Sequence, residues 1–256
     1  MQFYKLLSSN LRHLGFQYKE GLNINTEEFI PGGSCEPGGL YYTSHQWIGR
    51  WFNRAWPLIA DVTLPPDARI YPEPCGTKWK ADRLVLSNIR PIEAFLAEQS
   101  HAQLVEWMKQ SDNGQIFALM PQTPELCTAA INFRAWNIQM LHKQTPELCA
   151  LAVSRNWTTI QAVGHVTVEL LELAMETAPE AFGYIGQDKQ TPELCLAAVK
   201  RNGMNLRCVV ERTDEVCLAA VRQIGCAIAC VKNPTPPIKA AAAATACPTC
   251  RTMCSQ

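Results

Sequence analysis

Thr191-Pro-Glu-Leu-Cys-Leu-Ala-Ala-Val199 decides how the second half of this chain folds. Its first five residues recur at Thr123 and at Thr145, and Thr213-Asp-Glu-Val-Cys217 is a near copy. The starts at 123 and 145 are 22 residues apart, and so are those at 191 and 213. The 46 residues between Thr145 and Thr191 leave room for one degenerate copy, Thr167-Val-Glu-Leu-Leu171, with two extra residues near Gly186 to Lys189. Stepping outward by the same interval adds His101-Ala-Gln-Leu-Val105 and Thr235-Pro-Pro-Ile-Lys239. Seven copies then begin at 101, 123, 145, 167, 191, 213 and 235, and the seventh fills the chain to Gln256. An array of this kind makes a surface rather than a pocket for chemistry.

Each copy opens like a helix. Counting from zero at its first residue, position 0 is usually Thr, a good N-cap; position 1 is usually Pro, which suits the first helical residue; position 2 is usually Glu, which favours the helix dipole. A capping box is absent, because position 3 is Leu, Ile or Val instead of Glu or Gln. Positions 3, 4, 7 and 8 share one face, as in Leu194, Cys195, Ala198 and Val199. The pattern breaks near positions 11 to 13, for example at Asn202-Gly203. A second apolar pair follows at positions 15 and 18, such as Ile138/Leu141, Ile160/Val163 and Leu206/Val209. That spacing predicts a short second helix. One such unit cannot bury its apolar face, but stacked units share a continuous core.

Charge is balanced, with 23 basic and 23 acidic residues among 256, and no basic stripe marks a nucleic-acid partner. No apolar run approaches the ~18 residues of a membrane span, and the first ten residues lack a signal-peptide core. Four of the 12 cysteines, Cys127, Cys149, Cys195 and Cys217, occupy position 4, where the degenerate copy has Leu171. Cys there acts as a small hydrophobe, and so many free thiols fit a reducing compartment. Cys247, Cys250 and Cys254, with Cys226 and Cys230 upstream, raise a structural zinc site or a disulfide. The register argues for packed thiols, since Cys250 falls on position 15 and Met253 on position 18.

No such period appears before about residue 95. Strands are predicted at Phe3–Leu7, entering from the glycine pair Gly38-Gly39 through Leu40–Ser44, and at Pro57–Leu64, Ala68–Tyr71 and Arg83–Ser87. His45–Asn53 carries Trp47, Ile48, Trp51 and Phe52 at helical spacing. The fold expected is an α+β N-terminal domain over residues 1–92, a linker over 93–100, and an all-α solenoid of helix-turn-helix repeats over 101–256.

Gly15-Phe-Gln-Tyr-Lys-Glu-Gly-Leu-Asn23, Cys35, Gly38-Gly-Leu-Tyr-Tyr-Thr43, Ala60-Asp-Val-Thr-Leu-Pro65 and Lys78-Trp-Lys-Ala-Asp82 together resemble the N-terminal domain of giant-virus, mimivirus-like repeat proteins. In those viruses such a domain often precedes ankyrin repeats. The resemblance covers roughly residues 3–92. The later copies lack the Thr-Pro-Leu-His pattern and the ~33-residue period of ankyrin repeats. They resemble instead a separate repeat family of unknown function, typified by the segment at Thr191 to Val199. Neither resemblance implies an activity, a cofactor or a site residue.

Gly39-Leu-Tyr-Tyr-Thr-Ser44 followed by Ile59-Ala-Asp-Val-Thr-Leu64 also looks like an ADP-ribosyltransferase, in which aromatic side chains hold nicotinamide and a Glu polarises the ribose. Glu73, in Pro72-Glu-Pro74, is the one tempting carboxylate. The plainer reading is that Tyr41, Tyr42, Trp47 and Trp51 build the core of a small domain. His13, His45, His101, His142 and His165 are scattered, and no HExxH, GxSxG or phosphate-binding glycine loop occurs; the Gly32-Gly33 pair reads as a loop. The sequence therefore marks no catalytic, cofactor-binding or metal-binding residue. The function expected is non-enzymatic protein–protein interaction, with host or viral structural proteins as partners, in a virion or in host cytoplasm. Neither nucleic acid nor membrane insertion is expected.

Overall fold

The computed structural model describes residues 1–32, 36–110 and 115–245. Gly33, Cys35, Cys247, Cys250, Met253 and Cys254 lie outside them. The chain divides into two compact units, Met1–Ala130 and Ile131–Gln256. The structure is β-rich at its N-terminal end and helical thereafter.

The first unit contains β1 (Phe3–Leu7), β2 (Arg12–His13), β3 (Phe16–Gln17), β4 (Gly21–Ile24), β5 (Leu40–Ser44), β6 (Leu58–Thr63), β7 (Ile70–Pro72), β8 (Trp79–Ala81) and β9 (Arg83–Pro91). Seven of these form a sheet in the order β4-β9-β6-β1-β5-β8-β7, and β2 pairs only with β3. The pairings are antiparallel. Alternation along the strands buries Leu7, Leu40, Tyr42, Ala60, Val62, Ala81, Leu84 and Leu86 in one cluster with Tyr18. The expected strands at Phe3, Leu40, Leu58, Ile70 and Arg83 are present. β4 and β8 were not foreseen, because each carries a buried polar residue, Asn23 or Lys80, where an apolar one would signal a strand.

The helix expected over His45–Asn53 is absent. Only Ile48–Trp51 winds, as a single 3-10 turn. Its apolar residues face inward as a helix would place them, but Gly49 is needed for a close approach. A Cβ there would lie 2.5 Å from Trp107 Cβ. Beyond the sheet come α1 (Ile92–Ala97) and α2 (His101–Gln110). Trp107 on α2 is fully buried, stacks on Phe95 at 5.6 Å and donates its indole N–H to His45 O at 3.0 Å. The cap of α2 falls on Ser100, whose Oγ accepts from Gln103 N, and not on His101.

The remaining helices are α3 (Pro124–Phe133), α4 (Pro146–Arg155), α5 (Val168–Thr177), α6 (Pro192–Arg201), α7 (Asp214–Gln223) and α8 (Pro236–Ala244). Thr123, Thr145, Thr167, Thr191 and Thr213 each accept the N–H three residues on, at 3.3 to 3.4 Å. These bonds satisfy donors that a helix start would otherwise leave orphaned. Thr235 makes no such bond. Glu147, Glu169 and Glu193 sit in the first turn, where their own backbone N–H and then the capping Thr hydroxyl hold each carboxyl below its ordinary pKa.

The expected second helix is instead a 3-10 segment: Ala135–Met140, Trp157–Ala162, Ala181–Tyr184, Gly203–Cys208 and Gly225–Cys230. Three residues per turn eclipse positions 15 and 18, so the apolar i, i+3 pairs fall on one edge. Ile138, Ile160, Phe182 and Leu206 are fully buried there. The two extra residues of the degenerate copy lie at the 3-10 turn Gln187–Lys189. Within the second unit α4 packs on α5, α5 on α6, α6 on α7 and α7 on α8.

Cys127, Cys149, Cys195 and Cys217 are buried, and burial raises each thiol pKa, which keeps them protonated and inert. Cys226 departs from the expectation of free thiols, because it is disulfide-bonded. Among the described residues no cluster of three His, Cys, Asp or Glu side chains could hold a metal ion, and no helix is long and apolar enough to cross a membrane.

Candidate functional site

A cavity of about 230 Å³ lies in the first unit, lined by Tyr4, Lys5, Leu6, His13, Tyr41, Tyr42, Thr43, Trp51, Trp56 and Lys78. The sheet explains its position. β1 and β5 pair only at Phe3 opposite Ser44 and Tyr4 opposite Thr43. Past that point the Lys5 ammonium donates to Tyr41 O at 2.8 Å. Lys5 Nζ also lies 3.5 Å from His13 Nδ1 and 4.2 Å from the centre of the Tyr18 ring.

His13 comes from the β2–β3 ribbon and meets Trp56 edge-on at 4.7 Å. Lys78, just before β8, stands 4.9 Å from the Trp51 ring and 5.0 Å from the Tyr41 ring. Thr77 O holds this corner by accepting from Thr43 Oγ1 at 2.7 Å and from Trp51 Nε1 at 3.3 Å. Lys80 is fully buried beneath, donating to Gly32 O at 2.7 Å and to Ile30 O at 3.3 Å.

Burial brings the Lys5 pKa down to about 7. Burial first, then the charges of Lys5 and Lys78, brings His13 down to about 4. Both shifts begin with burial, which takes the positive form from water. Cys75 lies exposed in the turn leading to Lys78. Burial alone would raise its pKa, but the Thr77 hydroxyl, the backbone N–H groups of Thr77 and Lys78, and the Lys78 charge bring it below that of an ordinary thiol.

Tyr41, Tyr42 and Trp51, the aromatic residues a transferase reading would use, do line the cavity, whereas Trp47 and Glu73 do not. Glu73 is 2% exposed and neither carboxylate oxygen has a hydrogen-bond partner among the described residues. Sequence reasoning missed Lys5, His13 and Lys78 as a group. They are far apart in the chain, and nothing in their local sequence distinguishes them from surface charges.

The helical units carry a second set of unforeseen residues, immediately before the capping Thr. Gln144 Nε2 donates to Ile138 O and Ala162 O at 3.0 Å, while its Oε1 accepts from Gly164 N at 2.8 Å. Gln190 makes the forward pair alone, donating to Cys208 O and accepting from Val210 N, and Arg212 donates to Val209 O, Arg207 O and Cys230 O. Gln144 and Arg212 thereby tie one 3-10 segment to the next. A signal existed, since Gln precedes Thr123, Thr145 and Thr191 alike. At position 14, Asn205 reaches Pro179 O and Ala198 O, and Thr159 reaches Asn156 O, so these buried polar groups are satisfied.

No family model matches the chain and no solved structure matches it. Two proteins of Acanthamoeba polyphaga mimivirus, each named as an ankyrin repeat protein, do match. One is 35% identical over 95 residues, 35% of this chain and 47% of the relative. The other is 31% identical over 109 residues, 39% of this chain and 18% of the relative. The chain thus spans about half the length of the first and under a fifth of the second, and it is similar to giant-virus repeat proteins.

Proposed function

We propose that this chain is a non-enzymatic interaction protein of a giant DNA virus, with a seven-copy solenoid of 22-residue repeats over residues 101–256 as its binding surface. A linker over 93–100 joins it to an N-terminal domain over 1–92. The observation that carries this reading is a division of labour along each helix. Framework positions are nearly constant and buried, as at Leu194, Cys195, Ala198 and Val199. The equivalent exposed pairs Ser154-Arg155, Lys200-Arg201 and Arg222-Gln223 differ in every copy compared. Sequence freedom at exposed positions on a constant frame is how a repeat array acquires a specific protein partner. The similarity to viral ankyrin repeat proteins supports the same class of role.

The partner is a host factor or a viral structural protein, in host cytoplasm or in the virion. Affinity purification from infected cells tests this when the full chain is compared with a variant carrying R155E, K200E, R201E and R222E. A partner that co-purifies with the first and is lost from the second, at equal folding, is expected. Identical protein sets from both would overturn the reading. Mass spectrometry of purified virions separates the two locations. Transfer of ADP-ribose by the full chain, lost in Glu73→Gln, would replace the non-enzymatic reading altogether.

A further inference from the structure

The sheet of the first unit ends at β7 on one side and at β4 on the other, and the two edges are built differently. Glu73 N donates to Lys78 O and Asp82 N donates to Arg69 O. In the β7–β8 register this turns the backbone groups of Tyr71 towards β8 and those of Ile70 and Pro72 outward. Pro72 has no N–H to offer, which blunts that edge against a further strand. On β4 the phase is set by Asn25 N, which donates to Asp82 O one step beyond the β4–β9 register. Asn23 therefore bonds towards β9, and the N–H and C=O groups of Leu22 and Ile24 point outward. Among the described residues these outward groups have no backbone partner. β4 contains no proline, no charged residue and no register shift. Its Leu22 and Ile24 side chains share one face and are 46% and 50% exposed.

We propose that β4 is a dimerisation edge, on which a second copy of this chain lays its own β4 antiparallel about a two-fold axis at Asn23. Hydrogen bonding selects this register. The outward residues are two apart, so pairing centred on Asn23 sets Leu22 of each copy opposite Ile24 of the other, each pair exchanging both N–H···O bonds. No other antiparallel register of Gly21–Ile24 on itself uses both outward residues.

Side chains and charge agree with it. Leu22 of one copy meets Ile24 of the other on the same face, which covers the exposed aliphatic pair. Asn23 needs nothing from the second copy, because its side chain already bonds Lys19 N, Lys19 O and Gly21 O. Lys19 precedes the strand and Glu27 follows it, and both are exposed. The same register carries Lys19 of each copy across from Glu27 of the other, whereas parallel pairing would align like charges. The pairing involves the first unit alone and does not rest on the role proposed for the helical array.

Sedimentation equilibrium of the full chain from about 5 µM to about 1 mM tests the proposal. A short edge implies weak association, so a reversible monomer–dimer equilibrium with a dissociation constant below about 500 µM is expected. Ile24→Pro removes an outward donor without touching a bond to β9, and should weaken the dimer tenfold or more. Lys19→Glu should weaken it several-fold, and the double variant Lys19→Glu/Glu27→Lys should restore most of the loss; both positions are exposed, so the fold is spared. Amide exchange read by NMR should slow at Leu22 and Ile24 as concentration rises, with Asn23 unchanged. A chain that stays monomeric to about 1 mM would overturn the proposal. So would a dimer indifferent to both Ile24→Pro and Lys19→Glu. Protection of Leu22 and Ile24 that needs an added host or viral protein, in a chain otherwise monomeric, would overturn it too, by making the occupant a foreign strand.

Discussion

The two compact units differ in the polar groups they bury. Among the described residues, every buried charged side chain, Lys5, Glu73, Lys78, Lys80 and Asp82, lies in the first unit. Among the described residues of the second unit the buried polar groups are neutral, Asn137, Thr159 and Asn205. The first unit thus carries chemical individuality at fixed points, while the second repeats one neutral solution and leaves its variation outside. Burying a charge costs far more than leaving it in water, so the first unit meets Lys5 and Lys80 with backbone carbonyls, whereas the second leaves Arg155, Arg201 and Arg222 exposed.

The sharpest way to break this contrast is to remove the aromatic centre of the first unit. Trp107→Ala should cost about 4 kcal/mol, because a fully buried indole stacked on Phe95 and bonded to His45 O leaves a cavity and an orphaned carbonyl. Urea unfolding should show that loss in a first transition, with the helical signal of residues 131–256 melting later. A single shifted transition would show that the units do not unfold separately.

The buried lysine gives the next largest effect, and its sign is opposite. The Lys5 pKa falls from 10.5 to about 7 on folding, so the unfolded chain binds more protons between those values. Stability contributed here therefore rises as pH increases from about 7 towards 10.5, and the penalty is constant below about 7. Lys5→Met should flatten that slope and raise stability near neutral pH by about 2 kcal/mol, the relief of the charge less the loss of its bond to Tyr41 O. His13 works in a lower window. Its pKa falls from 6.5 to about 4, so the first unit should lose stability as pH drops through that interval. Unfolding curves across pH 4 to 10, read by tryptophan fluorescence, check both.

Smaller effects probe the helical unit. Gly203→Ala should destabilise by about 2 kcal/mol, because the added Cβ would sit 2.5 Å from Ala220 O on α7. Thr191→Ala should cost about 1 kcal/mol through loss of one N-cap. The charge reversals at Arg155, Lys200, Arg201 and Arg222 should each change stability by less than about 0.5 kcal/mol. Thermal unfolding of each variant checks this order, and a costly surface reversal would blur the distinction between frame and binding surface.

The helices were legible because every copy repeats the same local chemistry. Thr, Pro and Glu specify a helix start from residues adjacent in sequence, and the observed caps at Thr145, Thr191 and Thr213 need nothing distant. The second segment was legible as a short helix, but its 3-10 winding was not, because an i, i+3 pair suits a short α-helix and a 3-10 turn equally. In the first unit the sequence placed the apolar strands and missed β8, whose central Lys80 is buried through carbonyls supplied by Ile30 and Gly32, some 50 residues away. The cavity was illegible for the same reason: Lys5, His13, Tyr41, Trp56 and Lys78 meet only through sheet pairing that no local pattern records.

The most direct measurement is hydrogen–deuterium exchange on the full chain, with and without the partner recovered from infected cells. Protection at the C-terminal turns of α4, α6 and α7, around Arg155, Lys200 and Arg222, with Tyr41–Ser44 and Lys78 unchanged, is the expected result. Protection confined to Tyr41–Ser44 and Lys78, with those turns unaltered, would contradict the assignment of partner binding to the helical array.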